Sequence, residues 1–179
     1  MATNASTPPT RGGATFSMRF IIEFDGAIAD VAPGWYAAHQ AAAREVGWST
    51  LDRATFWRLI RTQGRTAQVL PAAKPAKFAE YQTRFEVRCE ADETIAAFRL
   101  IDDIPAALAN LTAFGPCHLV TLGVNLDART KLLESGGLRR FFQRIERLDA
   151  DPRRRPAELK ALAAGDPRTL VVCGTDALV

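Results

Sequence analysis

Short apolar runs separated by longer helical stretches dominate the pattern of this chain. Four runs of strand length cover residues 18–24, 117–122, 144–149 and 169–173, and all but the third are mostly apolar. Strands that alternate with helices favour a parallel sheet that is covered on both faces. The pattern therefore predicts an α/β fold whose core is a mainly parallel sheet of four strands.

The long stretch between the first and second runs has helical periodicity. Helices are predicted over 35–46, 55–63, 76–90 and 104–114. We therefore expect a core formed by residues 18–30 and 105–179, interrupted by a helical insertion over residues 31–104. His39 lies on the first of these helices, where we expect a partly exposed side chain without a functional role.

The first apolar run ends in two carboxylates. It reads Phe20-Ile21-Ile22-Glu23-Phe24-Asp25-Gly26-Ala27, and ligands of open α/β sheets bind just beyond the carboxyl ends of the strands. Glu23 and Asp25, two residues apart on an extended chain, point to the same side and can share a metal or divide acid and base roles. Gly26 lets backbone N–H groups approach a ligand closely. The same run also fits a strand end with two solvated acids.

This run resembles the first motif of the haloacid dehalogenase-like hydrolases, an apolar strand followed by DxDGT. Glu23 stands at the position of the nucleophilic Asp, Asp25 at that of the acid/base residue, and Gly26 is kept, while Ala27 replaces Thr. The later run that ends in Thr121 resembles the second motif, whose Thr or Ser holds the phosphate. The matching order of these motifs extends the resemblance over nearly the whole chain after residue 17.

Two further motifs depart from the family pattern. Arg155 occupies the place of the phosphate-binding Lys in members similar to phosphoglycolate phosphatase and β-phosphoglucomutase. Asp176 comes one residue later than the acid that helps to hold magnesium. The resemblance implies a Rossmann-like core with an inserted α-helical cap, on which Arg65 is the best candidate for contacting the substrate. It also implies these site residues: Glu23, Asp25 and Asp176 for Mg²⁺, and Gly26, Thr121 and Arg155 for the phosphate.

The resemblance implies a phosphatase that acts on a small phosphorylated metabolite. Glu23 would be the nucleophile or a metal ligand, and Asp25 the acid/base. Glu is one methylene longer than Asp, and a displacement of about 1 Å in a reacting group costs on the order of 10²-fold in rate. Turnover would therefore be impaired. The alternative is a non-catalytic relative that binds a phosphorylated ligand or a protein partner through the same cleft, and the residues leave open whether the chain is an enzyme.

Composition excludes several other classes. The net charge is +3, and the one basic block, residues 153–155, is expected to be a solvated loop, so no nucleic-acid partner is predicted. The three cysteines form no CxxC pair, which argues against a disulfide framework or a zinc site. No run approaches the roughly 18 apolar residues of a membrane span.

The two ends of the chain carry the remaining expectations. Residues 1–17 lack an apolar signal segment and are rich in Thr, Ala, Pro and Gly, so we expect a disordered leader and a cytoplasmic protein. The sequence stops soon after Asp176, whereas members of the resembled family continue. An exposed sheet edge there would favour a homodimer.

Overall fold

A computed structural model describes residues 18–63, 69, 74–149, 151, 153–163 and 168–173. The strands are β1 (Arg19–Glu23), β2 (Ala29–Asp30), β3 (Arg99–Leu100), β4 (Cys117–Thr121), β5 (Phe142–Arg147) and β6 (Thr169–Val172). The helices are α1 (Ala32–Glu45), α2 (Arg53–Gln63), α3 (Pro75–Cys89), α4 (Asp92–Ala96), α5 (Ile104–Phe114), α6 (Leu126–Ser135) and α7 (Arg155–Leu162). The predicted leader lies outside the described residues.

Four strands form one parallel sheet in the order β5-β4-β1-β6. β1 lies in the interior, with Phe20 opposite Cys117 of β4 and opposite Leu170 of β6. The predicted α/β fold with a four-stranded parallel sheet is therefore confirmed. A separate antiparallel pair, β2 with β3, was not expected from the pattern.

The two inner strands, β1 and β4, are buried because the sheet is covered on both faces there. Phe20 and Ile22 of β1 belong to a large apolar core that continues into the helices α1, α2 and α3. Ile21, between them, packs on the opposite face with Val120 and Leu148. Each fully buried side chain of this size contributes about 1.5–3 kcal/mol. This two-sided burial explains why β1 has an almost continuous apolar run.

The helical insertion contains a buried histidine. His39 is fully buried on α1, so the expectation of a partly exposed side chain is wrong. The backbone N–H of Leu51 donates to His39 Nε2 at 3.2 Å, and His39 Nδ1 lies 2.8 Å from the hydroxyl of Tyr81. Burial lowers the pKa of His39 to about 4. The neutral imidazole thus joins α1 to α3 and is a structural residue of the insertion.

The outer strands of the sheet are relevant to the predicted homodimer. β5 and β6 are its two edges, and Leu170 and Val171 of β6 are exposed. The homodimer stays a prediction, as do the domain boundaries and the role of the insertion as a cap. In the part of the chain that is described, no helix combines the length and apolar character needed to cross a bilayer.

Candidate functional site

Three of the predicted site residues come together at the carboxyl ends of β1 and β4. Glu23 ends β1 and Thr121 ends β4, and the parallel pairing of the two strands places them at the same edge of the sheet. Glu23, Asp25 and Thr121 are all buried. The Thr121 hydroxyl donates to Asp25 Oδ2 at 3.2 Å and accepts from the backbone N–H of Gly123 at 3.0 Å. A hydroxyl and two carboxylates thus share one buried edge.

The turn after β1 fixes the position of Asp25. Gly26 has a φ of +87°, which favours glycine, and its N–H donates to the carbonyl of Ala29 at 2.8 Å. The carbonyl of Phe24 accepts from the N–H groups of Ile28 and Ala29. Gly26 is therefore required by the conformation of the turn, and its own N–H is engaged within that turn.

Glu23 lies next to the end of β6. Burial, followed by the negative charge of Glu23, raises the pKa of the Cys173 thiol. Cys173 is consequently a neutral neighbour of the carboxylate at neutral pH. Because β1 lies between β4 and β6, Glu23 is at the centre of this edge.

Arg129 is the residue of this site that the sequence did not predict. It lies on α6 and is fully buried, with its Nη2 3.6 Å from Asp25 Oδ1. Its Nη1 donates to Glu90 Oε2 at 2.7 Å and to the carbonyl of Asn125 at 3.2 Å. One guanidinium therefore stands between the carboxylate of Asp25 and that of Glu90, which immediately follows α3.

Asn125 joins the same two parts of the chain. Its side-chain oxygen accepts from the N–H of Ala128 at 3.1 Å and so caps α6. Its side-chain nitrogen donates to the carbonyl of Glu90 at 2.9 Å and to Asp92 Oδ1 at 2.7 Å. The loop before α6 is thus attached to the segment between α3 and α4, beside the Arg129 ion pairs.

The remaining predicted site residues are placed differently. Arg155 is the first residue of α7, and its Nε donates to the carbonyl of Asp149 at 3.2 Å. Its expected contact with phosphate stays a prediction. Arg65 and Asp176 lie outside the described residues, and their expected roles stay predictions.

Only part of the donor set that the resemblance implies for Mg²⁺ is described. Within the described ranges, no three His, Cys, Asp or Glu side chains come together as metal ligands, and Asp176 lies outside them. Magnesium is usually held by one or two carboxylates together with water and phosphate oxygens. Glu23 and Asp25 would supply oxygen ligands of this kind, and Arg129, 3.6 Å from Asp25, is a cation beside them.

Several solved structures with similar folds are described as haloacid dehalogenase-like hydrolases or phosphatases. A family member from Streptococcus pneumoniae has a TM-score of 0.69 at 14% identity, over 92% of this chain and 79% of that chain. A predicted phosphoglycolate phosphatase from Haemophilus somnus has a TM-score of 0.60 at 14% identity, over 89% and 77%. A HAD-hydrolase from Bacillus subtilis, described as bound to magnesium, has a TM-score of 0.56 at 16% identity, over 87% and 78%.

Sequence comparisons add no closer relationship. No protein-family profile matches the chain, and no curated protein matches it. At these low identities the structural similarity establishes the fold and not the activity. The haloacid dehalogenase-like fold expected from the motifs is therefore confirmed.

Proposed function

We propose that this protein is a haloacid dehalogenase-like hydrolase that cleaves the phosphate ester of a small phosphorylated metabolite. The observation that supports it best is the meeting of Glu23, Asp25 and Thr121 at the carboxyl ends of adjacent parallel strands. Ligands of such sheets bind at this edge. The buried carboxylates and the hydroxyl are the groups that a covalent phosphoryl transfer requires.

The proposed reaction has two steps. A carboxylate oxygen of Glu23 attacks phosphorus, the ester P–O bond breaks, and Asp25 gives its proton to the leaving oxygen. Asp25 then takes a proton from a water molecule that attacks the phosphorus of the glutamyl phosphate, which releases inorganic phosphate and restores Glu23. Thr121 and Arg155 are proposed to contact the non-bridging oxygens.

We expect this reaction to be slow. The extra methylene of Glu23 moves its oxygens away from the position that an Asp would give, at a cost on the order of 10²-fold in rate. In addition, Asp25 already accepts from Thr121 and faces Arg129. Restoring the shorter side chain in Glu23→Asp should therefore increase turnover.

The test is release of inorganic phosphate from an aryl phosphate and from a panel of sugar and carboxylic-acid phosphates, with and without MgCl₂. We expect measurable turnover in the wild type, faster turnover in Glu23→Asp and none in Asp25→Asn. Asp102→Asn, a change of an exposed Asp before α5, is the matched control and should leave turnover unchanged. Equal rates in the wild type and Asp25→Asn would contradict the assigned acid.

A second candidate is a non-catalytic relative that binds a phosphorylated ligand. The ion pair of Asp25 with buried Arg129 favours it, because this carboxylate is already held by a fixed cation. Calorimetric titration with inorganic phosphate separates the two functions. A binder would show affinity without turnover in both wild type and Glu23→Asp, and Asp25→Asn would change only the affinity.

A further inference from the structure

The two oxygens of the Asp25 carboxylate have different surroundings. Oδ2 accepts from the Thr121 hydroxyl at 3.2 Å. Oδ1 is buried and accepts no hydrogen bond from the residues that are described, and Arg129 Nη2 lies 3.6 Å from it, beyond hydrogen-bond distance. Buried polar atoms normally have a hydrogen-bond partner, so an open acceptor at a candidate site indicates a group that a ligand or a proton completes. Oδ1 is therefore the oxygen of Asp25 that can carry the proton in the proposed reaction.

Glu90 holds the guanidinium of Arg129 more tightly than Asp25 does. Glu90 Oε2 lies 2.7 Å from Nη1 and Glu90 Oε1 lies 3.3 Å from Nη2, a two-point contact. Charge-assisted contacts of this kind fix the plane of a guanidinium as well as its position. Arg129 is fully buried, so its charge has to be balanced by the carboxylates around it. Glu90 consequently keeps Nη2 from closing on Asp25 Oδ1.

The ion pair is fixed on both sides. The backbone N–H of Asn125 donates to Glu90 Oε2 at 3.1 Å, and the carbonyl of Asn125 accepts from Arg129 Nη1 at 3.2 Å. The Phe24 ring centre lies 5.8 Å from Arg129 Cζ, and a Cβ at Gly123 would lie 2.1 Å from the same atom. These neighbours leave the guanidinium room for only a small shift, and Glu90 sets its position within that room.

We propose that Glu90 and Arg129 are positioning residues for Asp25, the acid of the proposed reaction. Arg129 steadies the carboxylate by its charge, while Glu90 keeps the guanidinium far enough away that Oδ1 can give its proton to the leaving oxygen. Without the charge of Glu90, Nη2 closes on Oδ1 and occupies the oxygen that the reaction needs. The part of Asp25 in catalysis rests on the proposed function, whereas the arrangement of the three side chains does not.

The first experiment compares crystal structures of the wild type, Glu90→Gln and Glu45→Gln. Gln keeps the size of the side chain and removes its charge, so we expect the separation of the guanidinium from Asp25 Oδ1 to fall to about 3.2 Å or less in Glu90→Gln. Glu45 pairs with Arg84 and Arg88 on the surface and is the matched control. The wild type and Glu45→Gln should keep the separation near 3.6 Å.

The second experiment measures kcat/KM in MgCl₂ for two phosphate esters whose leaving groups differ in basicity. The 4-nitrophenolate of an aryl phosphate leaves with little help from an acid, whereas the alkoxide of a sugar phosphate needs a proton as it leaves. We expect Glu90→Gln to lower kcat/KM for the sugar phosphate by about tenfold or more and for the aryl phosphate by less than about threefold. Glu90→Asp, which keeps the charge, should recover part of the loss. A role in stability alone would lower both values by the same factor.

Each outcome decides the proposal. A wild type in which Arg129 already donates to Asp25 Oδ1, an unchanged separation in Glu90→Gln, or equal losses for the two esters would overturn it. If the wild type is too slow, Glu23→Asp is the background for the kinetic comparison. If neither background releases phosphate, the proposed function fails, and the separation in Glu90→Gln still decides the positioning. If Glu90→Gln does not fold, Glu90→Ala, which admits water beside Arg129, takes its place in both experiments.

Discussion

The close packing of Gly123 against the Arg129 guanidinium can be tested by substitution. A Cβ at position 123 would lie 2.1 Å from Arg129 Cζ and 2.1 Å from its Nη2. Gly123 is not among the described glycines with a positive φ, so its backbone accepts Ala without strain. Ordinary contact begins near 3.4 Å, so in Gly123→Ala the guanidinium must move by more than about 1 Å, which is enough to break its 2.7 Å bond to Glu90.

The magnitude follows from the burial of these charges. Separating a buried ion pair costs about 3–5 kcal/mol. Part of the pair is retained in Gly123→Ala, and replacing Gly by Ala itself stabilises by about 0.4–1 kcal/mol. The expected loss in the free energy of unfolding is therefore about 2–4 kcal/mol. Arg129→Met removes all three atoms that would meet the new Cβ and keeps an unbranched chain in the space. In the Arg129→Met protein, Gly123→Ala should leave the free energy of unfolding unchanged or raise it by up to about 1 kcal/mol.

The assay is a double-mutant cycle of urea unfolding on the wild type, Gly123→Ala, Arg129→Met and the double variant. We expect a coupling free energy of about 2–5 kcal/mol at a constant denaturant slope. Gly136→Ala is the control, because its Cβ would meet Leu100 Cδ1 and its cost should be the same with and without Arg129. Additivity of Gly123→Ala and Arg129→Met within about 0.5 kcal/mol would refute the packing described here.

Two further predictions concern the helical insertion. Burial lowers the pKa of His39 to about 4 against 6.5 in the unfolded chain, so the unfolded state binds the extra proton and the free energy of unfolding should fall by about 1–3 kcal/mol as the pH drops from 6.5 to 4. Most of this loss should disappear in His39→Asn, whereas His118→Asn should remove only the smaller share that comes from the lowered pKa of the His118 imidazole, as measured by urea unfolding across that pH range. Glu90→Gln weakens a buried pair with Arg129 and should lower the unfolding midpoint clearly, whereas Glu45→Gln, which loses exposed pairs with Arg84 and Arg88, should change it little and less still in high salt. Equal effects of the two substitutions would contradict the difference in burial.

Most of the fold was predictable from short stretches of the sequence. The inner strands β1 and β4 have apolar runs because both faces of the sheet are covered there. α5 was predicted with its observed bounds, Ile104–Phe114, since Pro105 marks its start. β2 and β3 have two residues each, too few for any periodicity, and they pair only through the tertiary fold.

The site was predictable where its residues end strands. Glu23, Asp25 and Thr121 follow or close apolar runs, and parallel strands bring such ends to one edge. Arg129 has no such signal, because an Arg on a helix ordinarily faces solvent and its burial depends on Glu90, 39 residues earlier. His39 was placed wrongly for the same reason: its partner Tyr81 is 42 residues away.

The interior position of β1 has a consequence for the synthesis of the chain. Phe20 pairs with Cys117, so 97 positions separate the two, and its other partner, Leu170, is farther still. At about 5–20 residues per second, a ribosome needs on the order of 5–20 s to make the intervening segment. The apolar side chains of β1 stay without their strand partners throughout that interval. The helices of the insertion, which share a core with Phe20 and Ile22, are made before β4, whereas Ile21 has to wait for its later partners Val120 and Leu148.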